Sequence, residues 1–164
     1  MRNRSQVAHK LDEEHLANLE LLHKVEQVFG RTNRSGESNE PELSRLVTKL
    51  ALHLEDEIAR HFSFEERELF PRLDAAGEGD LAALLLEEHV AIREVAAEII
   101  LYARAVSSGT LDKAGWAALR RSALEIVERL SAHIQKETMA LLPMLDDLLD
   151  EETDSELSFS YASA

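Results

Sequence analysis

Apolar side chains recur every three or four residues along several long stretches of this chain, the spacing that is typical of amphipathic helices. The first predicted helix runs from about Ser5 to Phe29. A polar, Gly/Ser-rich stretch at 30–39 then predicts a loop. A second helix starts near Pro41, because proline fits the first turn of a helix. No stretch shows the alternation of apolar and polar residues that indicates a strand.

The second half of the chain repeats this arrangement. A turn is predicted at 75–80, and a third helix follows it to about Val106, with Asp80 as the expected N-cap. The fourth helix begins at about Asp112, and Pro143 is expected to kink or shorten it. Four long helices with short connections predict an all-α fold, an antiparallel up-down-up-down four-helix bundle.

The two halves also share a sequence frame. The stretches "HFSFEERELFP" at 61–71 and "HIQKETMALLP" at 133–143 each hold a histidine, a glutamate four residues later and a proline at the end. "DEEH" at 12–15 and "LEEH" at 86–89 precede them, and their histidines lie 46 and 44 positions before the histidines of the two stretches. We interpret the halves as an internal duplication related by a pseudo-twofold axis.

Composition and charge narrow the possible partners. A chain of 164 residues that is 45% hydrophobic predicts one globular domain, here 1–150, followed by a flexible acidic and Ser-rich tail at 151–164. A net charge of −14 repels phosphate groups, so we expect neither nucleic acid nor an anionic membrane as a partner. The absence of cysteine excludes disulfides and thiolate chemistry and fits a cytoplasmic protein.

Six histidines and glutamates fall on the apolar faces of the predicted helices, where a polar group is costly unless it finds a partner. They are His15, His61, Glu65, His89, His133 and Glu137. Each His-x-x-x-Glu pair projects from one helix face, so a bundle brings all six together. Four imidazoles and two carboxylates suit a dinuclear site whose metals keep open positions. Nitrogen and oxygen ligands without sulfur suit iron best, and manganese or zinc less specifically.

With these residues in this order, the chain resembles the hemerythrin-like (HHE cation-binding) family over about residues 9–148. The resemblance implies that the six residues bind two iron ions joined by an oxo or hydroxo bridge, with Glu65 and Glu137 bridging them. Hemerythrins that carry oxygen have a second histidine one turn along helix 3, where this chain has Arg93. The four-histidine, two-glutamate pattern is closer to the iron-centre repair proteins, which commonly carry a cysteine-bearing domain that this cysteine-free chain does not match.

The resemblance and the open metal positions predict a protein that binds or reduces O₂, peroxide or NO in the response to oxidative or nitrosative stress. Two alternatives use the same ligands: an iron or oxygen sensor, store or carrier without turnover, and an iron donor for iron–sulfur cluster repair. A metal-free bundle, in which the histidines and glutamates satisfy one another, is the remaining interpretation. The redox partner and the choice between monomer and homodimer stay open.

The other polar residues are expected to have lesser roles. Three further histidines are interpreted as edge or surface residues: His9, His23 and His53. Glu57 and Glu88 lie where they can flank the site, but the preferred interpretation is that both are ordinary solvated glutamates on a helix surface. The acidic runs "DEEH" and "EEREL" are likewise interpreted as mostly solvated faces.

Overall fold

The computed structural model describes residues 5–35 and 40–163, which are almost entirely helical and contain no strand. The first half holds three α-helices with two π-helical segments between the second and third. These are α1 Gln6–Ser35, α2 Glu40–Asp56, the π segments Glu57–Phe62 and Glu65–Leu69, and α3 Phe70–Ala75. The second half holds α4 Gly79–Ser107, α5 Lys113–Lys136, a π segment Glu137–Leu141, α6 Leu142–Leu148 and α7 Glu151–Ala162.

The long helices form a bundle in which α4 packs against α2 and α5, and α1 packs against α2 and α5. Their apolar faces build two buried clusters, one at each end of the bundle. Along α1, for example, Leu11 belongs to one cluster and Leu22 to the other, with His15 between them. Each fully buried leucine stabilises the fold by roughly 1.5–3 kcal/mol. The two apolar clusters therefore stabilise the bundle on both sides of a polar layer, the level of the bundle at which His15 lies.

Helix α1 is longer than its sequence pattern predicts. It passes through Gly30 and continues to Ser35, so the loop expected at 30–39 is wrong for its first six residues. Residues 36–39 lie outside the described ranges. A single helical glycine costs roughly 1 kcal/mol relative to alanine, which does not end a helix that already has a long packed face.

Asp80 does not cap helix α4 as expected. The helix begins at Gly79, and Glu78 occupies the N-cap position without a side-chain hydrogen bond. The preceding turn determines this start, because Gly77 adopts a φ of 87° and the Glu78 N–H bonds the Leu73 carbonyl. A positive φ favours glycine, so backbone geometry rather than a capping side chain places this helix end.

A π-helical segment precedes each proline of the repeated frame. The N–H of Leu142 bonds the Glu137 carbonyl five residues earlier, and Pro143 follows directly. Proline has no N–H and its ring clashes with the carbonyl four residues earlier, so a regular α-helical ladder cannot pass through it. The expected disturbance at Pro143 therefore takes the form of a wider turn, after which α6 continues the path. The segment Glu65–Leu69 before Pro71 has the same form.

A flexible tail is expected at 151–164, but its residues Glu151–Ala162 form helix α7, which packs against α1. Residue 164 lies outside the described ranges. The Asp150 carboxylate caps it by accepting the Thr153 N–H at 2.7 Å. The acidic residues of its first turn face the positive end of the helix dipole, which favours the helix. In the described ranges, no helix has the length and apolar character needed to cross a membrane.

Candidate metal centre

The structure brings all six predicted ligands together in the polar layer between the two apolar clusters. Each of the six is at most 1% exposed. Their ligand atoms form two groups in which every atom lies within 4.8 Å of the others. One group is His15, His61, Glu65 and Glu137, and the other is Glu65, His89, His133 and Glu137. The two glutamates belong to both groups, so each carboxylate lies between two pairs of histidines.

Each carboxylate oxygen faces a different imidazole. One oxygen of each glutamate lies near a histidine of the first group, and the other oxygen lies near a histidine of the second. The four Nε2–oxygen distances are 3.0 Å for His15–Glu137, 3.2 Å for His61–Glu65, 3.3 Å for His89–Glu65 and 3.1 Å for His133–Glu137. A carboxylate with one oxygen directed to each of two positions has the orientation of a bridging ligand.

Hydrogen bonding alone does not satisfy these carboxylates. Both oxygens of Glu65 and the Oε2 of Glu137 are buried without a hydrogen-bond partner, even though imidazole nitrogens lie about 3 Å away. A buried acceptor without a partner costs roughly 1–3 kcal/mol. Ligands about 2.1 Å from one ion and at right angles to each other are themselves about 3 Å apart. The donor atoms therefore fit metal ions better than they fit one another.

The opposite ring nitrogen of every histidine meets an oxygen outside the cluster. The Nδ1 contacts are His15 to Thr138 Oγ1 at 3.0 Å, His61 to Glu14 at 3.0 Å and to Glu57 at 3.1 Å, His89 to Glu66 at 2.7 Å, and His133 to Glu88 at 2.8 Å. An acceptor at Nδ1 keeps the proton there and directs the Nε2 lone pair inward. It also fixes the orientation of the ring, as outer partners of metal-bound histidines do.

These outer oxygens were largely missed by the sequence interpretation. Glu57 is 4% exposed and Glu88 bonds His133, so neither is the solvated glutamate that was preferred. Glu14 and Glu66 lie in acidic runs that were interpreted as solvated faces, yet each bonds a histidine of the cluster. Thr138 was not considered.

The duplication contained the signal that would have found them. Glu14 and Glu88 each directly precede a predicted ligand and each contacts the histidine of the next long helical segment. Glu66 and Thr138 each directly follow a ligand glutamate and each contacts a histidine of the other half. The four contacts thus repeat in pairs, with threonine replacing glutamate once.

Arg93, at the position where oxygen-carrying hemerythrins have another histidine, does not face the cluster centre. Its guanidinium pairs with Glu66 at 2.8 Å, and Glu66 in turn bonds His89. The Phe62 ring stacks on the His89 ring with centroids 3.7 Å apart, and Arg93 lies above the same phenyl ring. Arg93 therefore supports His89 from outside rather than adding a ligand.

Charges within and around the cluster shift the pKa values of several of its groups. Burial alone would raise the pKa of Glu137, but the charge of His133 and the hydrogen bond between His15 and Oε1 hold it well below its ordinary range. Burial would lower the pKa of His133, yet Glu137 and Glu88 raise it to about 9. Partial burial would raise the pKa of Glu14, but hydrogen bonds from His61 and Tyr161 lower it to about 2. The cluster is strongly anionic once its histidines are neutral, which favours a cation.

The remaining histidines lie outside the cluster. His9 and His23 are exposed, as expected, and His53 is half-buried against the buried side chain of Asn18. Asn18 rather than Leu19 faces inward here. In α1 the next buried position after His15 is three residues along, at Asn18, rather than four. Leu19 is therefore turned towards solvent.

Comparison with known families agrees with this geometry. Residues 6–145 match the family model of the hemerythrin HHE cation binding domain. Among curated protein sequences, no match to the chain is found. The matched range spans most of the chain and includes all six clustered residues. The chain belongs to the hemerythrin HHE cation-binding family.

Proposed function

We propose that this protein is a non-haem di-iron protein that binds or reduces a small molecule, O₂, peroxide or NO, in oxidative or nitrosative stress. The observation that carries the proposal is the pair of four-residue groups that share Glu65 and Glu137. The proposal includes an antiparallel arrangement of the four long helical segments. It also includes action in the cytoplasm, which suits a cysteine-free chain.

The residues of the chain would perform three tasks. The four imidazoles and two carboxylates would give each metal two nitrogens and two oxygens, which leaves further positions open on iron. Bound iron supplies electrons and these open positions for a small ligand. The outer oxygens hold the imidazole orientations, and the apolar clusters above and below exclude bulk water from the buried donors. Glu65 and Glu137 fix the spacing between the two positions.

Of the alternatives, iron donation for cluster repair fits the geometry least. A donor must release its metal readily, whereas every proposed ligand is nearly inaccessible and every histidine is held from outside. A sensor, store or carrier uses the same ligands, and turnover distinguishes it from an enzyme. A carrier shows a reversible spectral change with O₂ and little consumption of peroxide or NO.

The testing experiment is a metal analysis of the whole protein. The chain is purified from iron-supplemented cells without a metal-affinity tag, and metals per chain are measured by mass spectrometry beside an optical spectrum. We expect about two iron ions per chain, together with near-ultraviolet absorption of a bridged pair. A chain that holds no metal, and gains none when ferrous iron is added anaerobically, would contradict the proposal. A chain that holds two ions is then exposed to O₂, peroxide and NO.

A further inference from the structure

Helix α7 lies beyond residues 6–145 that match the family, and it brings a tyrosine to the outer edge of the metal centre. Tyr161 is 4% exposed. Its hydroxyl donates to the Glu14 carboxylate, 2.9 Å from Oε2 and also in contact with Oε1. The same carboxylate accepts from the Nδ1 of His61 at 3.0 Å. A hydrogen-bonded chain therefore joins Tyr161 to His61 through Glu14.

Helix α7 is anchored at several points along its length. The buried Asp154 accepts from the Ser5 hydroxyl at 2.6 Å and from the N–H groups of Gln6 and Val7 at 2.8 and 3.2 Å. These are groups at the start of α1, which have no partner within that helix. Further along, the Lys10 ammonium donates to the Ser158 carbonyl at 3.2 Å. The C-terminal helix thus caps α1 and lies along it.

The Tyr161 ring is held as firmly as its hydroxyl. The Phe64 ring lies 4.6 Å away between centroids, and the Arg60 guanidinium lies 4.9 Å above the tyrosine ring. Arg60 also donates to Glu14 at 3.1 Å. Ring packing and the cation above the ring fix the position of the phenol. Glu14 thus accepts from Tyr161 and Arg60 in addition to His61.

The corresponding contact in the other half of the duplication has no such support from a buried tyrosine. His133 bonds Glu88 at 2.8 Å, and Glu88 is held by Lys136, whose side chain is about half exposed at 45%. An exposed ammonium on a flexible stem orders a carboxylate less than a buried phenol does. The outer carboxylates Glu14 and Glu88, behind His61 and His133, therefore differ in how firmly they are held.

We propose that Tyr161 is a positioning residue for His61, and that α7 thereby strengthens metal binding at the position of His15 and His61. The inference rests on the proposed metal binding and adds an assignment for a helix outside the family domain. Tyr161 acts only through Glu14, by keeping that carboxylate on Nδ1 and the Nε2 of His61 directed inward.

The test compares Tyr161→Phe with wild type by cobalt(II) titration of the metal-free protein. Phenylalanine keeps the ring contacts and removes only the hydroxyl. Tyr102→Phe is the matched control, because Tyr102 packs against the larger apolar cluster, away from the metal centre. We expect Tyr161→Phe to weaken the cobalt affinity of one of the two binding steps about tenfold. This is the lower end of the roughly 10–100-fold loss of affinity that follows removal of an outer partner. Equal binding in all three proteins, or equal weakening of both steps, would overturn the inference.

A second measurement needs no metal. Long-range ¹H–¹⁵N correlation detects the Nδ1–H of His61, which is assigned by its loss in His61→Ala. We expect its exchange with water to be faster in Tyr161→Phe and unchanged in Tyr102→Phe, and unchanged exchange in both would overturn the positioning role.

A wild type that binds no cobalt would overturn the proposed function together with the metal part of this inference. A wild type that binds two ions with no effect of Tyr161→Phe would overturn this inference alone.

Discussion

At the scale of single residues, the glutamates of the cluster are shared between the two ligand groups and the histidines are not. Glu65 and Glu137 belong to both four-residue groups, whereas each histidine belongs to one. A histidine can thus be lost with damage to one position, but a glutamate cannot. This difference follows from the carboxylate having two oxygens that face opposite ways, and it is the difference that the proposed dinuclear centre requires.

We therefore expect Glu65→Ala and His15→Ala to differ in metal titrations. Glu65→Ala should weaken both binding steps, and His15→Ala should leave one step near its wild-type affinity. Each loss should exceed the roughly 10–100-fold cost of removing an outer partner. His23→Ala, which removes an exposed histidine of the same helix, is the control and should bind like wild type. One unchanged step in Glu65→Ala would show that this carboxylate is not shared between two metals.

At the scale of elements, an aspartate lies at each of two predicted helix starts, Asp80 and Asp112, and only one of them acts as a cap. Asp112 accepts the Gly115 N–H at 2.7 Å at the start of α5, which agrees with the predicted start of that helix. Asp80, the same residue type before a similar apolar run, makes no such bond because the Gly77 turn starts α4 one residue earlier. An identical local signal thus has two outcomes that depend on the preceding backbone.

Asp112→Ala should destabilise the fold by about 1 kcal/mol, since it leaves a helix N–H without its side-chain partner. Asp80→Ala is the matched variant and should cost only a few tenths of a kcal/mol, the interaction of an exposed charge with the helix dipole. Urea unfolding of both metal-free variants measures the difference. Equal losses would mean that Asp80 contributes as a cap after all.

At the scale of the whole molecule, stability of the metal-free fold should depend on pH through the cluster. The pKa of His133 is raised from 6.5 to about 9, so its contribution is complete below pH 6.5 and is lost as pH rises to about 9. The pKa of His61 is also raised, which acts in the same direction. The pKa of Glu14 is lowered from 4.5 to about 2, so its contribution is present above pH 4.5 and lost as pH falls to about 2.

Metal-free protein should accordingly be most stable between about pH 4.5 and 6.5. His133 alone contributes on the order of 3 kcal/mol, since one pKa unit corresponds to about 1.4 kcal/mol. Thermal melting from pH 3 to 9.5 measures the profile. His133→Gln should flatten the alkaline side of the profile, because the raised pKa of His133 is removed. An unaltered alkaline slope in that variant would contradict the assignment to His133.

The amino-acid sequence by itself determined the helices, the duplication and the six inward polar residues, because periodicity and His-x-x-x-Glu spacing are local properties of one helix. Only the tertiary structure decided which oxygen meets which ring nitrogen, since the partners of His61, His89 and His133 come from other helices. It also decided that residues 151–162 are a packed helix. Asp154 and Tyr161 find their partners on α1, about 150 residues earlier, where no local pattern records them.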